Sequence, residues 1–403
     1  MNTSAYKPLK TVFHMNDETS ASTEEAQRRK YALTLDFKVG SKDLFYLPTA
    51  TLSLLAEQIL LQEQKIHVAT LDLPSAASQS YLFNLLIDEI SATNEIEAVR
   101  STRQEIEEAL LAEPTENKRF KELAKLYLAF SSGDISAPST PQELRTRYDD
   151  LLGQEISSSD ALDGALFRKN PVFIKDADGR QLHQGVTDET QIHRNLATML
   201  QHVDDPQVPR LMAAMIAHFM LEYTHPFYDG NGRFGRYLLS VHLSEVLSRY
   251  TVLTLSKTIN EQKKKYYKAF EDAENTLNRG EGTFFIQAML ELIFDAQDSL
   301  LKELADKKRL LQSLKSRLEI WSYSHLQVSE DFLKIFGILG QVELFGKPSG
   351  ISINDLASEI NKSWKTTRKR VEQLENEGLV KHTSDRPLRV ALSDQAKEIL
   401  GLS

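Results

Sequence analysis

The chain has 403 residues, a formal charge of −9 at neutral pH and no cysteine. A chain of this length can bury more than one core, so we expect two or three domains. The lack of cysteine excludes disulfides and thiolate metal sites, and it fits the reducing cytoplasm, where we expect the protein to act. The negative charge argues against a surface that binds nucleic acid over its whole extent. No apolar run approaches the roughly 18 residues of a membrane span, and the polar N-terminus gives no sign of a signal peptide.

The chain begins with a polar segment and continues with helical patterns. Residues 1–35 are rich in Ser, Thr, Asn, Glu and Gln, which predicts a flexible lead-in. Residues 36–130 carry apolar residues at helical spacing, which predicts a helical N-terminal region. Its helix over residues 80–98 ends in Thr-Asn-Glu-Ile-Glu-Ala. We expect a break at Pro114, because proline interrupts a helix.

Residues 167–186 interrupt the helical pattern of a domain predicted over 131–325. The dipeptide Asp178-Gly179 is a hairpin turn signal. We therefore predict a β-hairpin inside an otherwise helical domain. The segment before the turn is β-prone and contains Val172, Phe173 and Ile174.

A twelve-residue stretch, HPFYDGNGRFGR from His225 to Arg236, separates two apolar helical patterns. Its Gly-Asn-Gly turn tolerates positive φ values, and the helix that follows offers unpaired N–H groups and the positive end of its dipole. Arg233 and Arg236 share a face of the first helical turn, where two cations oppose the dipole and an anion between them would remove that conflict. The stretch therefore predicts an anion site, and phosphate is the usual anion.

Asp229 and His225 add two chemical groups to this predicted site. Asp229 is a hard oxygen ligand suited to Mg²⁺, which usually takes one or two carboxylates plus substrate phosphates. His225 can act as a general base near neutral pH. Together they predict a nucleotide site with a base that activates an incoming hydroxyl. For any one of these residues alone, a solvated helix start is the simpler interpretation.

The pattern His-x-Phe-x-Asp-Gly-Asn-Gly-Arg-x-x-Arg resembles the signature of the Fic (Fido) family at every fixed position. The resemblance implies a mainly α fold that transfers AMP from ATP, with Mg²⁺, onto a Ser, Thr or Tyr hydroxyl of a target protein. It implies that His225 deprotonates this hydroxyl and that Asp229 holds Mg²⁺ against the phosphates. It also implies that Arg233 neutralises the phosphate chain and that Arg236 reaches the γ-phosphate. The remaining loop residues would cradle the phosphates: Gly230, Asn231 and Gly232.

Residues near position 95 fit the inhibitory helix of many Fic proteins, with the pattern [Ser/Thr]-x-x-x-Glu-[Gly/Asn]. Thr93 and Glu97 match it, whereas Ala98 departs from the final Gly or Asn. The resemblance implies that Glu97 pairs with the second motif arginine and keeps the nucleotide out of line for attack. An alternative register over 91–95 fits less well, because Ile96 would then hold the small-residue position.

Two further features follow from the resemblance. The hairpin over 167–186 has the position of the family's flap, which holds the target segment by strand pairing; an ordinary surface hairpin is the alternative. Tyr267 would line an adenine pocket, with helix packing as the alternative.

His218 and Glu222 lie four residues apart, and structural hydrogen bonds explain them better than a metal pair does.

Residues 331–403 have a different character. Two short helices, the second ended by Gly378, and two β-prone segments around a polar tip resemble a winged helix-turn-helix. The segment 361–389 holds eight Lys or Arg and four Asp or Glu residues. This local excess of cations suits phosphate contacts. Binding to DNA and contact with protein, including dimerisation, both stay open.

We therefore predict a protein adenylyltransferase that acts on a target protein and is restrained by Glu97. Removal of AMP, or use of another donor, is the alternative within the same class. The alternative from another class is a DNA-binding regulator that senses nucleotide. The intact motif favours the enzyme, and the sequence leaves the oligomeric state open, a homodimer included.

Overall fold

The computed structural model of the chain describes residues 6–113, 115–175, 181–346 and 349–402. These residues are mainly helical with small antiparallel sheets, which confirms the predicted fold class. They form two compact units, each made of two segments: 1–63 with 89–297, and 64–88 with 298–403. None of the described helices combines the length and the apolar character needed to cross a bilayer.

Residues 9–29 are mostly helical, so the prediction of a flexible lead-in is wrong for this part of the chain. Two helices lie there: α1 (Leu9–Met15) and α2 (Glu18–Arg29). Asp17 caps α2 by accepting from the Ser20 N–H. Arg28 of α2 is buried and donates from Nη1 to Glu281 Oε2 at 2.7 Å. Charge pairs with distant residues hold this polar segment in place, and local composition cannot reveal such pairs.

Two strands and five α-helices lie between α2 and the hairpin. In chain order they are β1 (Leu33–Val39), β2 (Lys42–Tyr46), α3 (Ala50–Leu71), α4 (Ser75–Ile96), α5 (Arg103–Leu110), α6 (Lys121–Ser132) and α7 (Pro141–Leu152). The antiparallel pair β1 and β2 was not predicted. Helix α7 begins at Pro141, with Thr140 as its N-cap. Pro114 lies outside the described residues.

The predicted hairpin is present. Its strands are β3 (Phe173–Lys175) and β4 (Gln181–Gln184), and they pair antiparallel with Phe173 opposite Gln184. The Asp178-Gly179 turn lies outside the described residues.

The motif stretch connects two buried helices. The helices that follow the hairpin are α8 (Glu189–Asp204), α9 (Arg210–Thr224), α10 (Asn231–Leu243), α11 (Arg249–Val252), α12 (Leu255–Glu261), α13 (Lys263–Glu274) and α14 (Thr283–Ser324). Every residue of α10 is buried. The loop from His225 to Gly230 is therefore anchored at both ends in the core, which fixes the position of its side chains.

The C-terminal region has the predicted winged-helix order. Its elements are α15 (Glu330–Leu344), β5 (Ile351–Ser352), α16 (Ile353–Glu359), α17 (Trp364–Asn376), β6 (Val380–Asp385), β7 (Leu388–Leu392) and α18 (Asp394–Leu400). The strands form one antiparallel sheet in the order β5-β7-β6. Ser363 caps α17 by accepting from the Thr366 N–H, and Gly378 takes the positive φ of 70° that ends this segment.

Candidate active site

The loop between α9 and α10 is held by its own side chains. Asn231 accepts from the Phe227 N–H through Oδ1 and donates to the Phe227 carbonyl through Nδ2, both at 2.9 Å. The buried ring of Phe227 stacks on Tyr148 with centroids 3.6 Å apart. The Tyr148 hydroxyl donates to the Asp229 carbonyl at 2.9 Å. The amide of Asn231 therefore shapes the loop by bonding both the N–H and the carbonyl of Phe227.

His225 lies at the C-cap of α9 in a left-handed conformation, with φ of 52°. Its Nδ1 lies 3.2 Å from the Glu222 carbonyl oxygen. A carbonyl oxygen can only accept, so this contact places the ring proton on Nδ1. Nε2 is then the basic nitrogen of the neutral ring, which suits a general base.

Arg168 is a site residue that the sequence analysis missed. It is fully buried and donates from Nε to the His225 carbonyl at 2.7 Å and from Nη2 to the Thr224 carbonyl at 3.2 Å. Burial lowers the pKa of this guanidinium to about 10. Arg168 joins the segment that leads to the hairpin to the backbone of the motif histidine. The residues that follow Arg168 are polar, so the local sequence gives no sign of this role.

The structure brings Glu97 and Thr93 to Arg236, as the resemblance implied. Arg236 is buried and forms an ion pair from Nη1 to Glu97 Oε1 at 2.9 Å. Its Nε donates to Thr93 Oγ1 at 2.8 Å and its Nη2 to the Thr93 carbonyl at 3.0 Å. Glu95 of the alternative register is exposed and accepts from Asn260 Nδ2 at 2.9 Å. The register that contains Glu97 is therefore the one that reaches the motif.

Gly232 and Ala98 explain how Glu97 fits. A Cβ built on Gly232 would lie 2.1 Å from Glu97 Oε1, so only glycine admits the carboxylate at the start of α10. Ala98 has a φ of 57°, and the Val99 N–H donates to the Asn94 carbonyl at 2.9 Å. This is a Schellman-type helix end, where Gly or Asn is favoured. Ala98 therefore keeps the geometry of the family pattern and accepts backbone strain.

Replacing Ala98 with glycine should stabilise the protein by about 1 kcal/mol, because glycine adopts the left-handed conformation without the clash of a Cβ. Urea denaturation of Ala98→Gly measures the change. Ala197→Gly, inside helix α8, is the matched control and should destabilise by about 1 kcal/mol. Equal destabilisation by both substitutions would show that Ala98 is not strained.

Arg233 and Asp229 line one cavity of about 390 Å³. Arg233 is buried and donates from Nη1 to Glu155 Oε2 at 2.7 Å. Asp229 is exposed and accepts from the Gly230 N–H at 2.6 Å. Among the described residues, no group of three or more His, Asp or Glu side chains could hold a metal. A single open carboxylate beside an arginine fits Mg²⁺ that is held mainly by phosphates.

Tyr267 and the hairpin residue Phe173 both have exposed surface. Tyr267 is 49% exposed, and its hydroxyl donates to the Ile96 carbonyl at 3.4 Å, directly before Glu97. Phe173 is 48% exposed. The Gly185 N–H donates to the Val172 carbonyl at 3.0 Å, which continues the pairing beyond the strands. Ile174 pairs with His183 through the backbone.

Comparisons with known proteins place this geometry in a family. Residues 138–243 match the Fic/DOC family, and residues 343–381 match a winged helix-turn-helix DNA-binding family. The chain contains a Fic/DOC domain. Its match ends with helix α10, so it includes the whole motif stretch.

The relatives are distant. The protein adenylyltransferase Fic of Drosophila virilis is 25% identical over 205 residues, which cover 50% of this chain and 40% of that protein. The protein of the same name from Drosophila melanogaster is 27% identical over 118 residues, which cover 29% of this chain and 22% of that protein. A solved Fic family protein from Desulfovibrio desulfuricans G20 has 19% identity and a TM-score of 0.51, and the match covers 87% of this chain and 98% of that one. The chain spans less than half the length of these curated relatives, and the solved structure supports the fold alone.

Glu222 is the second acidic group near Arg236 in the Fic/DOC domain. Its Oε1 is buried and has no hydrogen-bond partner among the described residues, and a Cβ on Gly235 would lie 2.0 Å from it. Burial raises the pKa of the Glu222 carboxyl to about 8, Glu97 adds to the rise, and Arg236 opposes it. His218 forms a hydrogen bond with Tyr266, and its Nε2 lies 2.8 Å from the tyrosine hydroxyl oxygen. The hydrogen-bond interpretation is thus confirmed for His218, whereas the half-buried Glu222 has one buried oxygen without a partner among the described residues and a raised pKa.

Replacing Glu222 with glutamine should stabilise the protein at alkaline pH. The unfolded chain ionises this group near its ordinary pKa of 4.5 and the folded chain near 8. Between these values only the unfolded state loses the proton, so stability falls as pH rises, by up to about 1.4 kcal/mol per pH unit. Urea denaturation at pH 5, 7 and 9 should show a growing advantage of Glu222→Gln. Glu95→Gln, at an exposed carboxylate, should show none; an advantage of Glu222→Gln that is independent of pH would contradict the argument.

The winged helix presents part of its predicted basic surface. Lys365 and Lys369 are exposed and lie one turn apart on α17. Arg368 is instead paired with Glu375 at 2.7 Å. Arg389 is buried and donates to a backbone carbonyl. The surface available for phosphate contacts is therefore smaller than the cation count of the segment suggested.

Proposed function

We propose that this protein transfers AMP from ATP to a Ser, Thr or Tyr hydroxyl of a target protein. The observation that carries the proposal is the orientation of His225, whose Nδ1 is occupied by the Glu222 carbonyl at 3.2 Å. In this tautomer Nε2 is the basic ring nitrogen, on a histidine at the edge of a loop that opens into a helix N-terminus with two buried arginines. The names of the relatives support the same chemistry.

The motif residues divide the work of the transfer. In this proposal His225 Nε2 takes the proton of the target hydroxyl, whose oxygen then attacks the α-phosphorus of ATP, and pyrophosphate leaves. The backbone N–H groups at Asn231 and Gly232 face the phosphates, and Arg233 offsets the charge of the phosphate chain. Mg²⁺, when bound at Asp229, would supply further charge neutralisation. Catalysis therefore comes from positioning and electrostatics, as in phosphoryl transfer.

Glu97 restrains the reaction in this proposal. Its ion pair with Arg236 at 2.9 Å occupies the arginine that the γ-phosphate needs. The two bonds from Arg236 to Thr93 fix the guanidinium in that pair. ATP then binds with its α-phosphorus out of line for attack. The hairpin, on which Phe173 of β3 is exposed, would hold the target segment by strand pairing, and Tyr267 would contact the adenine.

Transfer of radioactive label tests the proposal. The Glu97→Gly variant is incubated with Mg²⁺ and either α-³²P-ATP or γ-³²P-ATP, and protein-bound label is measured in the protein itself and in a cell lysate. Label from the α position alone supports AMP transfer. Label from the γ position would indicate phosphoryl transfer instead. Release of AMP from a modified target, without any labelling, would favour the deAMPylating alternative.

A second candidate activity is DNA binding by the winged helix. It is favoured by the match of residues 343–381 to a DNA-binding winged-helix family and by the exposed pair Lys365 and Lys369. Duplex binding measured by fluorescence anisotropy should weaken when both lysines are changed to alanine, and its salt dependence should become shallower. Lys334→Ala, which removes a lysine paired with Glu330, is the control. Equal binding by all three proteins would favour protein contact instead.

A further inference from the structure

We propose that Glu155 is a second acidic restraint on the motif, which occupies Arg233 and competes with the phosphate chain of the nucleotide for it. This inference rests on the proposed function, because it concerns the same nucleotide. Glu155 follows helix α7 and belongs to neither the motif stretch nor the inhibitory segment. It is therefore an additional regulatory residue of the site.

The contact itself is short and shielded. Arg233 Nη1 lies 2.7 Å from Glu155 Oε2, and the two side chains are 4% and 16% exposed. Arg233 Nε is buried and has no hydrogen-bond partner among the described residues. Glu155 is thus the acidic partner of Arg233 at Nη1. Water screens such a pair weakly, so its Coulomb attraction exceeds that of a surface pair, while the desolvation of both groups opposes it.

The pair repeats the arrangement at the other motif arginine. Arg236 is bound by Glu97 at 2.9 Å, and Arg233 is bound by Glu155 at 2.7 Å. Each arginine is buried, and each carboxylate comes from a segment outside the motif. Both cations that the phosphates need are therefore already neutralised by the protein.

The position of Glu155 makes it a competitor and not only a support for Arg233. Glu155, Arg233 and Asp229 line the same cavity. A residue that merely oriented Arg233 would lie behind the guanidinium, away from the ligand. Glu155 instead shares the cavity wall, so a phosphate that approaches Arg233 also approaches the carboxylate.

Three other cations line the cavity: Lys118, Arg119 and Lys121. Lys118 is paired with Glu108 at 3.0 Å and Arg119 with Glu105 at 3.6 Å, whereas Lys121 donates from Nζ to the Glu116 carbonyl at 2.6 Å. Mg²⁺ offsets the charge of Asp229 in the proposed mechanism. The charge of Glu155 is offset by Arg233, which is the group that the phosphates require.

Affinity for ATP with Mg²⁺ tests the inference on the full chain. Glu155→Gln keeps the size and a hydrogen-bond acceptor for Arg233 but removes the charge. It should bind ATP about tenfold more tightly, because juxtaposed like charges oppose binding strongly. The change should be present with Glu97 intact and in the Glu97→Gly background. In that background the KM for ATP should fall by a similar factor, while kcat changes less than about twofold.

Glu122→Gln is the matched control. Glu122 lines the same cavity, but its carboxylate lies 3.7 Å from Lys125 and not against a motif arginine. Its removal should leave ATP affinity almost unchanged. If both substitutions tightened ATP binding equally, the effect would come from the net charge of the cavity. That outcome would overturn the proposal. Unchanged or weaker ATP binding by Glu155→Gln would also overturn it, because Glu155 would then not compete or would only orient Arg233.

Two measures keep the test independent of other failures. Binding is measured without transfer, so a protein that labels nothing refutes the proposed function and leaves this test valid. Thermal melting checks that Glu155→Gln is folded. Should it not fold, Glu155→Asp retains the charge but shortens the side chain, and it should tighten ATP binding by a smaller factor. Unchanged affinity of a folded Glu155→Asp would then count against the competition.

Discussion

Replacing Glu97 with glycine should raise the rate of AMP transfer by about two orders of magnitude. The pair between Glu97 and Arg236 at 2.9 Å holds the arginine that binds the γ-phosphate in the proposed mechanism. Removal of the carboxylate frees Arg236, so the phosphate chain can settle with the α-phosphorus in line. A displacement of about 1 Å at the reacting atoms can cost a factor of about 100 in rate, which sets the expected size of the gain. Initial rates of protein labelling from α-³²P-ATP measure it.

Glu95→Gly is the matched control for this prediction. It removes a carboxylate two residues earlier, which is exposed and accepts a hydrogen bond from Asn260. Its transfer rate should stay within about twofold of that of the unchanged protein, because it does not touch Arg236. A gain of similar size in both variants would show that loosening the end of helix α4, and not the freed arginine, activates the site.

Replacing His225 with alanine in the Glu97→Gly background should lower transfer by about 10²- to 10⁴-fold, the usual contribution of a general base. The contact from Nδ1 to the Glu222 carbonyl leaves Nε2 as the basic atom, and alanine supplies no substitute. Labelling rates at saturating ATP measure the loss. ATP affinity should change little, since the proposed phosphate contacts come from other residues.

His218→Ala serves as the comparison for a second histidine of the same helix. His218 is buried and bonded to Tyr266, so its removal should lower stability and leave the transfer rate per folded molecule nearly intact. Transfer by the His225→Ala variant at the full rate would exclude this histidine as the base. It would direct attention to another proton acceptor at the loop.

The sequence predicted those parts of the site that lie close together along the chain. The stretch from His225 to Arg236 and the pair Thr93 and Glu97 carry their chemistry in a fixed spacing. The contact of Glu97 with Arg236 followed from the family resemblance. The winged helix was predictable for a similar reason, since caps, turns and apolar spacing define each of its elements locally.

The parts that were missed depend on partners far away in sequence. Arg168 and Glu155 stand in polar segments, where an ion or hydrogen-bond partner cannot be read from the neighbours. Helix α2 was missed for the same cause, because its Arg28 is buried against Glu281. Side chains of this kind become visible only once the fold has brought the two ends of a contact together.

The amide clamp of Asn231 has a consequence for the chemical lifetime of the protein. Asn231-Gly232 is an Asn-Gly dipeptide, a sequence that readily deamidates when the glycine nitrogen attacks the side-chain carbonyl. Here both amide atoms are bonded to Phe227, and the backbone is helical. This geometry holds the side chain away from the attacking nitrogen. A deamidated copy would lose the donor to the Phe227 carbonyl, so the fold slows a reaction that would remove one of the bonds that hold this loop.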